Sequence, residues 1–434
     1  MRVATLAAAF AAAALLPGES LGVGVPIVAV LVAVAVAFAA SVSSDRLVFG
    51  ALALALTVPA MLIDAAWVIA LDLTAAWVLA VVAVCGPRLS SLAAPFVRLA
   101  AVPALAPSAP HGTASALRGG LLALMVAAPF AVLFWQADAA FAQLGRGIPL
   151  PAANPLPEQA FTFAVVLAAS LGLALAAARP FARRMRRPSR KLTPWEWAMP
   201  LVLLNALFLA FVLVQLAVLF GGRERVLRTA GLTYAEYARE GFWQLLGVAG
   251  LTLGVIGAAA LVADTPRRMH RVLLRALCAA LCALTIVVLA STVQRLLLYE
   301  DAFGLTRLRL FVTAFALWLG GLFALLVVAG LVGSVRRRFA HIAVAGTALG
   351  LLGFSLATPD RLIAERNLER WRETGHIDVP YLAGLSADAV PVLVELPAEL
   401  GLLDGFESAL ADEEPWSSFN LSRRRARDLL GLDS

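Results

Sequence analysis

The residues able to do chemistry gather in two stretches. One is Gly231 to Leu246, with Tyr237, Arg239 and Glu240; the other is Gln294 to Arg309, with Arg295, Tyr299, Glu300, Asp301 and Arg307. A carboxylate and a guanidinium can pair as a two-pronged fork with a strong geometric preference. The same groups at a membrane surface suit an envelope enzyme, with an acidic residue beside an arginine that holds the phosphate of a lipid-linked substrate. Asp64, Glu240, Glu300 and Asp301 with Arg239 and Arg295 would supply such a set. The alternative is a network of interfacial salt bridges that fixes loops, since structural networks also gather charges.

Two helices must position these groups. Thr233 with Glu236 forms a capping box, and the helix it starts can run without proline to about Asp264. That is roughly 45 Å at 1.5 Å per residue, against a hydrocarbon core of about 30 Å. Its first turns, with Tyr237, Arg239 and Glu240, therefore stand at the headgroups or beyond. In the second stretch Gly304 suits a helix C-terminus and Thr306 an N-cap. Gly304-Leu-Thr306 repeats Gly231-Leu-Thr233, a hint of duplicated hairpins. Tyr237, Arg239 and Glu240 are thus expected against Arg295, Tyr299, Glu300 or Asp301, with Arg307 in the same cluster.

The composition sets the class. Of 434 residues 61% are hydrophobic and 15% charged, and the mean hydropathy is +0.87. A soluble domain has no use for so much apolar surface, whereas an all-α polytopic membrane bundle does. Cys85, Cys278 and Cys282 lie in apolar runs and read as small hydrophobes. His111, His270, His341 and His376 are scattered without ligand spacing, and no phosphate loop, nucleotide fingerprint or nucleophile elbow occurs. No metal, cofactor or nucleic acid is expected; the expected partners are the lipid bilayer and a membrane or extracytoplasmic protein.

Eleven spans are expected, at about 3–17, 22–41, 47–63, 65–85, 117–139, 160–178, 197–220, 240–263, 272–294, 308–333 and 340–357. The first is read as an uncleaved helix. The third and fourth meet so tightly at Asp64 that they form a hairpin. The organisation reads as N-terminal hairpins (1–85), an interfacial linker (86–116), a core transmembrane domain (117–357) and a small helical domain (358–434). With the N-terminus inside, cytoplasmic segments hold 19 Arg and Lys and outer loops 8, with the rest in the C-terminal tail. That bias places the N-terminus in the cytoplasm and the tail outside the cell (inner) membrane. In the tail, Pro359 to about Arg372 reads as a charged helix, Ser386 with Asp388 as the opening of a short one, and 396–411 and 416–430 as two more.

Ionisable and amide groups inside spans each need a reason, because insertion costs about 2.5–3.5 kcal/mol per charge. Asp72, Gln136, Asp138, Asn205, Gln215 and Gln244 fall in or near the ends of spans. They either line a polar path or glue helices by interhelical hydrogen bonds.

Three phrases carry a resemblance: Tyr237 to Leu245; Arg295 to Tyr299 with Gly304 to Arg309; and Asn367 to Arg370 followed by Asp378 to Leu393. In that order they resemble a bacterial polytopic membrane family known as domain of unknown function 4173, with its relative 4153. The resemblance covers about 115–430 and none of the first four spans. It implies an integral inner-membrane protein with distinctive outer loops and tail, and carries over no established activity, substrate or catalytic residue. The functional reading is a structural, regulatory or partner-binding membrane protein acting through its outer face. A solute transporter and an envelope enzyme on a lipid-linked substrate are the alternatives. A transporter calls for helices broken near the midplane, whereas Pro26, Pro59, Pro129 and Pro200 lie near span ends.

Overall fold

A computed structural model describes residues 2–16, 20–37, 43–85, 197–199, 201–206, 208–209, 212–213, 242–263, 265, 267–412 and 414–432. Every regular element among them is helical. In order these are α1 (Arg2–Leu15), α2 (Gly24–Ala37), α3 (Ser44–Ala55), α4 (Pro59–Leu62), α5 (Ala66–Cys85), α6 (Phe242–Val262), α7 (Arg268–Phe303), α8 (Arg307–Leu331) and α9 (Gly333–Leu356). The tail follows with α10 (Pro359–Thr374), α11 (Val379–Ala383), α12 (Val390–Leu393), α13 (Asp404–Leu410) and α14 (Leu421–Leu430), and short 3₁₀ turns between them. Long Ala, Leu and Val runs become helices because only a helix satisfies its own backbone polar groups where water is absent.

Among the described residues five helices are long and apolar enough to cross a membrane: Ser44–Leu62, Ala66–Val84, Arg268–Asp301, Arg307–Leu331 and Gly333–Leu356. Leu6–Leu15, Gly24–Ala37, Trp197–Ala206 and Val248–Gly257 are shorter apolar helices. Among the expected spans, 117–139 and 160–178 lie outside the described residues, and 197–220 is described only in part.

The chain divides into two compact units. One comprises Met1–Asp64, Ile69–Arg183 and Glu413–Arg424, and the other Ala65–Val68, Arg184–Asp412 and Arg425–Ser434. The tail thus contributes to both. In the first unit α1 packs on α2, and α2 on α3 and α4; Val81 and Val84 are buried against Val32, Val36 and Trp77.

In the second unit α7 packs along α8, and α8 along α9. Leu281, Val288 and Leu289 of α7 meet Val312, Ala316, Leu319 and Phe323 of α8 in a buried seam. A separate cluster joins Leu305 of the α7–α8 turn to Ile363, Leu368, Leu382, Val390, Leu393 and Phe406 of the tail helices. Fully burying side chains of this kind contributes about 1.5–3 kcal/mol each, so this part of the tail draws its core from the turn as well as from itself.

Candidate functional site

The α7–α8 turn forms as its residues dictate. Gly304 closes α7 at φ 77°, ψ 166°, a backbone region open essentially to glycine alone. A Cβ there would stand 2.3 Å from Asn367 Oδ1. Thr306 caps α8, its hydroxyl accepting from the Arg309 N–H at 3.4 Å. Asn367 Nδ2 donates to Leu305 O and Ile363 O, both at 2.8 Å, and so ties α10 to the turn. The Arg309 guanidinium lies 4.4 Å from the Tyr299 ring centre and donates to the carbonyls of Phe303 and Gly304.

Next to this turn sits a buried carboxylate from the stretch whose sequence reads only as a charged helix. Asp360, on the first turn of α10, is 0% exposed. Its Oδ1 accepts from Trp67 Nε1 at 3.0 Å and from Arg307 Nε at 3.0 Å. Its Oδ2 accepts from the Ser386 N–H at 2.9 Å and from the second prong of the Arg307 fork. Four donors therefore fill the carboxylate. Burial pushes its pKa up, but the bonds from Arg307 and Trp67 and the Arg307 charge outweigh burial and hold it below the ordinary carboxylate value.

The surroundings continue the network. The Arg307 N–H donates to Tyr381 Oη at 2.6 Å. Burial pushes the Tyr381 hydroxyl up, only partly offset by that bond. Ser386 Oγ donates to Asp388 Oδ2 at 2.8 Å, and the Ala65 N–H reaches the same oxygen at 2.9 Å. The Trp67 ring meets Phe354 edge-on at 5.8 Å. Thr358, between α9 and α10, sits at φ 47°, unusual for a β-branched residue. Pro359 after it disfavours a helical backbone at this position.

Of the expected cluster, Arg295, Tyr299, Glu300 and Asp301 lie on the last turns of α7 and Arg307 opens α8. The fork partner of Arg307 is Asp360. Glu300 lies within coulombic reach of Arg366 and Arg309. Tyr237, Arg239 and Glu240 lie outside the described residues, as does the capping box of Thr233 and Glu236.

The first unit holds a second polar knot, also unforeseen. Arg423 of α14 has its side chain 7% exposed and pairs with Asp64 at 2.6 Å and Glu414 at 2.7 Å. It also donates to Leu21 O at 3.0 Å and Ser418 O at 2.5 Å. Buried Asn420 donates to Ala60 O at 3.1 Å and Ile63 O at 2.6 Å, while its Oδ1 caps α14 through the N–H groups of Ser422 and Arg423. The Val23 N–H bonds Phe419 O at 3.0 Å, and a Cβ on Gly22 would stand 2.3 Å from the Ser418 backbone. Residues 414–424 thus bind the α1–α2 turn and the α4–α5 turn together. Asn420 before a short helix was the available signal, as an N-cap residue.

Among the polar groups expected within spans, Asp72 of α5 is 1% exposed. Asn205 donates to its own helix at Leu201 O, 2.7 Å away, and to Leu277 O of α7 at 3.2 Å, which is interhelical glue. Gln136, Asp138 and Gln215 lie outside the described residues. No group of three or more His, Cys, Asp or Glu among the described residues is placed to hold a metal ion.

No curated protein and no solved structure matches the chain. A family model does, over residues 26–396, under the description Domain of unknown function (DUF4153). Of the two related families that the sequence resembles, it is this one that is found. Its match takes in spans 47–63 and 65–85, which carried no recognised phrase, and stops short of Asn420 and Arg423. Trp67, Arg307, Asp360, Tyr381 and Asp388 all fall within it, and the chain belongs to the DUF4153 family.

Proposed function

We propose that this chain is a multi-pass protein of the bacterial inner membrane that acts by binding a membrane or extracytoplasmic protein through its outer face. In this reading about eleven spans cross the bilayer, the N-terminus is cytoplasmic, and residues 358–434 form an extracytoplasmic helical domain. The arginine bias between loops supports the orientation.

The observation that carries the functional reading is the closure of the Asp360 network. A general base needs a free lone pair within reach of a substrate proton, and all four Asp360 acceptor positions are taken by Trp67, Arg307 and Ser386. Asp64, one of the four acids that the sequence offers for an envelope enzyme, is engaged by Arg423. These carboxylates hold the tail to the span ends and leave α10 to present an outward charged face, with Arg361, Glu365, Arg366 and Glu369 exposed.

The test compares surface with interior. Arg361→Glu with Arg366→Glu should leave protein abundance unchanged while removing the phenotype that complementation of a deletion strain restores. Full complementation by that variant, together with loss of function at normal abundance in Asp72→Asn, would replace this reading with transport.

A further inference from the structure

The ends of α7 and α9 remote from the Asp360 network carry a surface of a different kind. α7 has 36 residues and its hairpin partner α8 has 25. The turn between them is three residues long, so α7 overhangs the far end of α8 by about 11 residues, roughly 16 Å. The overhang carries Arg268, Arg271 and Arg275, preceded by Arg267. α9 starts one residue after α8 and carries Arg336, Arg337 and Arg338 in its first two turns. All seven are exposed. Among the described residues none of the seven forms an ion pair with a carboxylate, and the one side-chain hydrogen bond from this group runs from Arg271 to Thr265 O.

Two further features make this crowding costly without an anion. Neither helix has an acidic residue in its first turn or a side-chain cap, so both positive dipole ends face arginines and leave N–H groups open. Large apolar side chains stand exposed among the charges: Met269 at 78%, Val272 at 56%, Leu331 at 79% and Val332 at 43%. An acidic soluble protein would satisfy the arginines and leave those side chains in water. The boundary between headgroups and acyl chains takes both at once.

We propose that this end of the second unit binds anionic phospholipid headgroups, through charge-assisted contacts from the arginines of α7 and α9 to lipid phosphate. The basic bias that orients spans during insertion asks for no lipid selectivity in the finished protein, so the two roles separate experimentally. A juxtamembrane arginine is worth about a five-fold preference for an anionic surface.

The full chain, purified in a neutral detergent, is mixed with equal phosphatidylglycerol and phosphatidylcholine, and retained lipids are counted by native mass spectrometry. Phosphatidylglycerol should be retained over phosphatidylcholine by roughly ten-fold or more. R336Q/R337Q/R338Q combined with R271Q/R275Q should abolish the preference, and R336K/R337K/R338K should keep most of it. Equal retention of the two lipids by the wild type overturns the proposal whatever the variants do. So does an undiminished preference in the five-fold glutamine variant.

Discussion

Replacing Asp360 with asparagine keeps the shape of the side chain and removes its charge. One oxygen becomes an NH₂ facing donors from Arg307 and Ser386, or from Arg307 and Trp67, so two of the four bonds turn repulsive. Removing one partner of a buried pair costs about 3–5 kcal/mol. The Arg307 side chain is 36% exposed, so water can take up part of its charge, which lowers the expected cost to about 2–3 kcal/mol. Arg307→Lys keeps the charge and loses the fork, for about 1–2 kcal/mol. The assay is thermal unfolding in detergent followed by thiol exposure, with buried Cys282 and half-buried Cys278 as reporters. The expected order is Asp360→Asn lowest, Arg307→Lys intermediate and wild type highest. Arg307→Met with Asp360→Leu should be milder than Asp360→Asn, because a paired hydrophobic replacement leaves no orphan charge. An Asp360→Asn melting curve within error of wild type would refute the reasoning, since a fully buried carboxylate with four donors cannot lose its charge without cost.

Further consequences follow from the same contacts. The folded Asp360 pKa lies below its ordinary value of 3.8, so its contribution is present above pH 4 and lost as pH falls through the depressed value; melting curves of wild type and Asp360→Asn should converge at the acid end. Tyr381 is shifted the opposite way, from an ordinary 10.0. Its contribution should hold below pH 10 and vanish as pH rises through the raised value, and Tyr381→Phe should flatten that limb. Gly304→Ala should cost about 1–3 kcal/mol from backbone strain alone, plus the clash with Asn367; adding Asn367→Ala should recover only the clash portion in the same melting assay. Asn420→Ala should expose the segment 414–424 to limited proteolysis, and unchanged protection would show that its bonds to Ala60 and Ile63 hold nothing.

Local features were legible in the sequence. Gly304 and Thr306 end one helix and start the next as their types require, and α10 runs where charge and helical spacing put it, from Pro359 to Thr374. The long-range partners were not. Arg307 and Asp360 are 53 residues apart, and Arg423 and Asp64 are 359 apart; no periodicity encodes such pairings. Asp360 also hides well, since an acidic residue in a first helical turn reads as an ordinary dipole partner. Trp67 stands in an apolar run, and nothing in that run signals that its indole N–H meets a carboxylate 293 positions away.

In the proposed topology the tail lies on the extracytoplasmic side, with the arginine surface of α7 and α9 in the cytoplasm. Single cysteines at position 366 of α10 and at position 337 of α9, in a chain otherwise free of cysteine, test it directly through a membrane-impermeant maleimide on intact spheroplasts. Cysteine 366 should label at once and cysteine 337 only after permeabilisation. Labelling of 337 in intact spheroplasts, or protection of 366, would contradict the account.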